Sequence, residues 1–165
     1  MAYSIVRSEP CPSDWYFYGP ENVCLHLVDK NAKFHIAKKT CWNNFTAGLL
    51  YIDSAKKENF IKTNIIVNKH TFYWLGLKDL VGDDKLESHR WLASNKTLAE
   101  SNYINLANNR PPRIDAYKCI IIYFRRTPEW REERCGSKNK FICEKGLETK
   151  LINLHLNTNE EQMPS

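Results

Sequence analysis

The sequence predicts a single α+β domain held by disulfides, with a long irregular segment set into it. Three observations predict it. The 165 residues are about one domain's length, and 42% apolar with 26% charged is an ordinary globular balance. Helical spacing early in the chain gives way to short apolar runs of strand length. Six cysteines, an even number, stand at 11, 24, 41, 119, 135 and 143.

The elements follow in order. Residues 11–28 are aromatic-rich around a Gly19-Pro20 turn, which predicts a hairpin that Cys11 and Cys24 bracket. Residues 34–47 contain no Gly or Pro and place Phe34, Ala37, Cys41 and Phe45 near one helical face. Leu49-Leu50-Tyr51-Ile52 reads as a short buried strand. Asp53 or Ser54 then caps a second helix to about Asn64, with Phe60 and Ile61 facing the core. Residues 71–77 read as a buried strand. From Lys78 to Tyr117 turn formers dominate, among them Gly82, Asp83, Asn95, Pro111 and Pro112, apart from a short piece near Trp91. So long a loop in a compact domain either hides an element or carries function. Strands resume at 118–124 and 140–145. The expected organisation is an N-terminal extension 1–10, a domain 11–145 and a polar tail 146–165 that frays.

Net charge is +5, and its excess is local. Residues 105–140 hold nine basic and four acidic side chains, and the rest of the chain holds 15 of each sign. A basic face attracts polyanions or an acidic partner, or it is simply solvated. No two cysteines form a Cys-x-x-Cys pair, and the five histidines add no ligand motif, so disulfides are expected rather than zinc. Disulfides imply an oxidising, extracellular setting; 15 pairings of six cysteines are open at this point. The sequons at Asn44 and Asn95 agree with export. The first ten residues lack the apolar core of a secretory signal, so an exported form is expected to start from a mature sequence. The longest apolar run is six residues, Cys119 to Phe124, against about 20 for a membrane span, so no membrane insertion is expected.

Catalysis is not expected. The chain has no Gly-x-Ser-x-Gly, no phosphate-cradling glycine loop and no His-Glu-x-x-His. Its basic residues form no nucleic-acid reading motif, so no nucleic acid is expected as partner.

Taken together, the residues resemble the C-type lectin-like domain family. Cys11-Pro12 with Trp15 and Cys24 resembles the stapled N-terminal hairpin of its longer members. Cys41 followed by Leu49-Leu50-Tyr51-Ile52 resembles its helix-to-strand passage, and Trp74-Leu75-Gly76-Leu77 its core strand. Cys119, Trp130, Cys135 and Phe141-Ile142-Cys143-Glu144 resemble its C-terminal half. The resemblance spans residues 11–145 and implies two helices, small antiparallel sheets and a long ligand-carrying loop. It also implies the pairing Cys11–Cys24, Cys41–Cys143 and Cys119–Cys135. Dimers are common in the family, so a homodimer is open, though this pairing leaves no cysteine for a bridge between chains.

Sugar-binding members hold calcium with a Glu/Gln-Pro-Asn/Asp tripeptide and a Trp-Asn-Asp motif. Here those positions read Arg110-Pro111-Pro112 and Trp130-Arg131-Glu132. Calcium needs 6–8 oxygen ligands, and arginine brings none. No cofactor is therefore expected. Asp79 and Asp83 stand at the spacing of a second, structural calcium site of the family, and otherwise read as solvated turn aspartates. Two functional readings stay open. Protein binding independent of calcium would use loop residues such as Tyr103, Tyr117 and Trp91, because aromatics and arginine dominate hot spots. Binding of a sulfated, polyanionic glycan would use Arg110, Arg113, Arg131 and Arg134, whose forks fit sulfate. Alternatively Arg131 and Arg134 pair with Glu129, Glu132 and Glu133. Calcium-dependent sugar binding is the third reading.

Overall fold

The computed structural model describes residues 10–83, 85–107 and 117–147, with Tyr117 described by its backbone alone. Nearly all of the expected extension and tail lies outside these residues, as do Arg110 and Arg113.

The chain opens with strand β1 (Tyr16–Tyr18), a 3-10 turn (Gly19–Glu21) and strand β2 (Val23–Ala32). Asn22 closes the turn at φ 54°, in the left-handed region that asparagine tolerates. Helix α1 (Phe34–Phe45), strand β3 (Gly48–Leu49) and helix α2 (Ala55–Asn64) follow. Ser54 rather than Asp53 caps α2, its hydroxyl accepting the Lys57 N–H at 3.1 Å. Then come β4 (Phe72–Asp79), β5 (His89–Trp91), β6 (Tyr117–Tyr123), β7 (Glu129–Arg134) and β8 (Asn139–Gly146).

The sheet order is β1-β2-β8-β4-β6-β7, with β3 on β8 and β5 on β4. Every pairing between these strands is antiparallel except β4 with β8. That parallel pairing joins the expected small sheets into one mixed sheet. Side chains alternate across its strands, which sorts the core into two layers. Trp74, Cys119, Ile121, Phe141 and Cys143 pack with the Phe34, Ala37 and Cys41 face of α1. Tyr73, Leu75, Leu77, Ile120, Ile122 and Ile142 pack with Ile61 of α2 and with Trp91 and Trp130. Each buried indole finds an acceptor: Trp74 donates to the Ala32 carbonyl, Trp91 to Ser101 and Trp130 to Glu58.

Gly76 lies where β4 passes closest to another backbone. A Cβ there would stand 2.8 Å from the Leu49 carbonyl oxygen, and the Gly76 N–H donates to Leu50 O at 2.8 Å. The three disulfides are Cys11–Cys24, Cys41–Cys143 and Cys119–Cys135, the pairing that the resemblance implied. Cys41–Cys143 ties α1 to β8 across a separation of 102 residues.

The structure differs from the sequence reading in several places. Strand β3 is only Gly48–Leu49, against the expected 49–52. The span 129–134 is a strand, although five of its six residues are charged. The short piece expected near Trp91 is β5, which pairs with β4, and the irregular segment expected from Lys78 begins only after Asp79. Strand β8 reaches Gly146, one residue past the expected strand end, and the Leu147 N–H donates to Asn22 O at 3.0 Å.

Candidate functional site

The long segment between β4 and β6 is anchored from below by α2. Glu58 is only 4% exposed. Its carboxylate accepts the Trp130 indole N–H at 2.7 Å, the Tyr103 hydroxyl at 2.8 Å and the Asn105 amide at 3.0 Å. Asn105 also donates to the Pro128 carbonyl at 2.8 Å. Main-chain bonds complete the dock: Trp130 N–H donates to Asn105 O and Ala107 N–H to Trp130 O. One helical carboxylate thus gathers the loop and the start of β7. Burial first, and then Glu58, push the Tyr103 hydroxyl pKa well above the usual tyrosine value. Tyr103 is partly buried against the core, its ring edge-on to Trp130. It braces the loop rather than offering a free phenol.

Beside Glu58 stands Lys57, fully buried. Its ammonium donates to Glu21 at 2.5 Å and Glu144 at 2.8 Å and lies over the rings of Tyr18 and Tyr51. Burial alone would lower its pKa; the Glu144 and Glu21 carboxylates together outweigh that and hold it above the usual lysine value.

At the other end of the loop, β4 finishes at Asp79, which is buried and not the solvated turn residue expected from sequence. Its carboxylate accepts the N–H groups of Val81 at 3.1 Å and Gly82 at 2.7 Å. Asp83 sits on the rim, accepting the Lys85 N–H at 3.2 Å. His89 pairs with Asp79 in the ladder and is fully buried. Its Nδ1 bonds to Lys85 O at 2.8 Å, while its Nε2 lies 3.7 Å from the Glu132 carboxylate. Among the described residues no three His, Cys, Asp or Glu side chains are placed to hold a metal ion. Asp79 caps its own turn, and Glu132 faces the His89 imidazole. Two apolar residues stand on the surface here, Leu80 at 53% and Val81 at 67% exposure, with Lys85 and Glu87 also exposed nearby.

Of the four arginines singled out from sequence, the structure describes two. Arg110 and Arg113 lie outside the described residues, as does the Tyr117 side chain. Arg131 and Arg134 are three positions apart on β7, and a strand sends such residues to opposite faces. Arg131 donates to Glu129 and lies 5.8 Å from the centre of the Tyr123 ring. Arg134 is exposed at the end of β7, where it pairs with Tyr117. Both sequon asparagines, Asn44 on α1 and Asn95 in the turn after β5, are exposed. Trp74, Trp91 and Trp130 are fully buried.

Residues 30–145 match the Lectin C-type domain. The chain belongs to this C-type lectin family. Several solved lectin-type folds are similar. The carbohydrate-recognition domain of the mouse scavenger receptor C-type lectin shares 23% identity at TM-score 0.68, over 84% of this chain and 98% of that one. The C-type lectin domain of murine dendritic cell inhibitory receptor 2, solved with an N-glycan, shares 22% at 0.69, over 82% and 98%. A calcium-independent type II antifreeze protein shares 19% at 0.67, over 82% and 94%. At these identities the likeness carries the fold. C-type lectin domains are in general non-catalytic recognition modules, and members of this fold include both glycan-bound and antifreeze proteins. Among the described residues no helix is long and apolar enough to cross a membrane.

Sequence reasoning missed Lys57, Glu58 and His89. A signal for the first two was present: they stand four and three residues before Ile61, on its helical face.

Proposed function

We propose that this C-type lectin domain is an extracellular recognition module that binds a protein ligand through its long loop region without calcium. The observation that carries this reading is the state of the β4 end: the carboxylates of Asp79 and Glu132 are engaged inside, while Leu80 and Val81 are exposed beside them. Apolar side chains rimmed by charge suit a protein surface better than sugar hydroxyls. Arg134 stands at the loop end of β7, exposed, where its backbone pairs with the start of β6. Three disulfides suit an oxidising compartment, and N-glycans at the exposed Asn44 and Asn95 belong to this reading.

The test is to display the domain to an array of cell-surface ectodomains and glycans, first in calcium and then in EDTA. Protein binding that persists in EDTA and is lost in Leu80→Glu/Val81→Glu, with an unchanged melting temperature, is the expected result. Binding to neutral sugars that disappears on chelation overturns it.

A further inference from the structure

A second surface stands at the far end of β6, six residues from where the long loop re-enters the sheet. At about 3.4 Å per strand residue that is roughly 20 Å away. There Tyr123 is the centre of a cationic and aromatic array. The Arg125 guanidinium lies 4.6 Å over its ring, and Arg131 approaches the same ring at 5.8 Å. Phe72 packs against it at 4.7 Å between ring centroids, and the Tyr123 hydroxyl is 3.5 Å from His70 Nδ1. Lys62 of α2 donates to the Arg126 carbonyl, which brings its ammonium to the β6–β7 turn. Lys69, exposed, precedes His70. Arg125 and Arg126 are both exposed. Glu129 stands in this array and is taken by Arg131.

We propose that this surface around Tyr123 binds sulfated polysaccharide. Arginine forks accept sulfate in bidentate geometry, and a guanidinium already laid over a tyrosine ring loses less freedom on binding than a free one. Cations arrive here from α2, from the residues before β4, from the β6–β7 turn and from β7, so they spread over a surface instead of converging on one point. That arrangement suits a chain of repeated anions rather than a single ion. The site is independent of the loop face proposed above, so either reading can fail alone.

The experiment is heparin-affinity chromatography and calorimetric titration with a heparin octasaccharide, using the full chain. Two variants remove the same charge: Arg125→Gln/Arg126→Gln at the turn, and Lys38→Gln/Lys39→Gln on the exposed side of α1. Thermal melts of both establish folding. The turn variant is expected to elute at lower salt and bind about tenfold more weakly. Its log-affinity against log-salt slope should fall by roughly two, one for each guanidinium withdrawn from a sulfate. The α1 variant is expected to match the parent. Equal weakening in both variants, or none in the turn variant, overturns the proposal. Binding to phosphatidylserine vesicles that the octasaccharide does not compete away also overturns it, in favour of a lipid surface.

Discussion

Replacing Glu58 with leucine removes the acceptor that three parts of the domain share. Leucine is close enough in size to keep α2 packed, so the change is mainly one of hydrogen bonding. The Trp130 indole N–H is fully buried and has no water to turn to; an orphaned buried donor costs about 1–3 kcal/mol. Tyr103 is only partly buried, and Asn105 keeps its bond to the Pro128 carbonyl, so each contributes less. The sum is about 3 kcal/mol, which for a chain of this size lowers the melting temperature by roughly 6–12 °C. Glu58→Gln should fall between, since it keeps an oxygen for Trp130 but turns an amide N–H₂ toward Tyr103 and Asn105. Near-ultraviolet circular dichroism reads the melt directly because Trp130 is itself a reporter. Limited proteolysis of the folded variant should show faster cleavage near 103–107. A leucine variant that melts within about 1 °C of the parent, uncut at that segment, would refute the claim that Glu58 holds the loop.

Two further outcomes are expected. Cys41→Ala with Cys143→Ala frees a span of 102 residues and should cost about 4–5 kcal/mol in urea unfolding; an unchanged midpoint contradicts a structural role for the bridge. Stability should also decline above about pH 10. The pKa of Lys57 is raised above 10.5, and those of Tyr51, Tyr73 and Tyr103 above 10.0, so the native state holds more protons than the unfolded one there. Their contribution is complete below the unfolded values and is lost as pH rises through the folded ones. Urea midpoints that stay flat from pH 9 to 11 would remove this linkage.

The parts of the fold that were legible are those whose burial follows a period. Phe34, Ala37 and Cys41 marked the inner face of α1, and 71–77 announced β4 by its apolar run. Strand β7 was hidden because its inward positions are Trp130 and Glu132, so alternation reads as a charged stretch with one indole. Lys57 and Glu58 were hidden for a related reason. Charged side chains in a helix read as solvent-facing unless their partners are known, and those partners come from residues as distant as 21, 144 and 130. Of the arginines, only the placing of Arg131 and Arg134 can be compared with the sequence. The resemblance put both beside the family's calcium position; the strand sends them to opposite faces, and Arg131 shares the Tyr123 ring with Arg125. The loop was legible as a loop, but the inward turn of Asp79 was not.

The placing of Cys41–Cys143 bears on how the loop can change. The segment from Leu80 to the start of β6 lies between Cys41 and Cys119, so a single cut within it leaves two fragments that this bridge still joins. A nicked molecule would run as one species until reduced. Chain continuity through the loop is therefore not what keeps the halves of the sheet together. Lengthening the loop adds only about 0.6 kcal/mol of closure cost per doubling. Its sequence is free to turn over, by insertion or exchange, around a frame that is closed elsewhere.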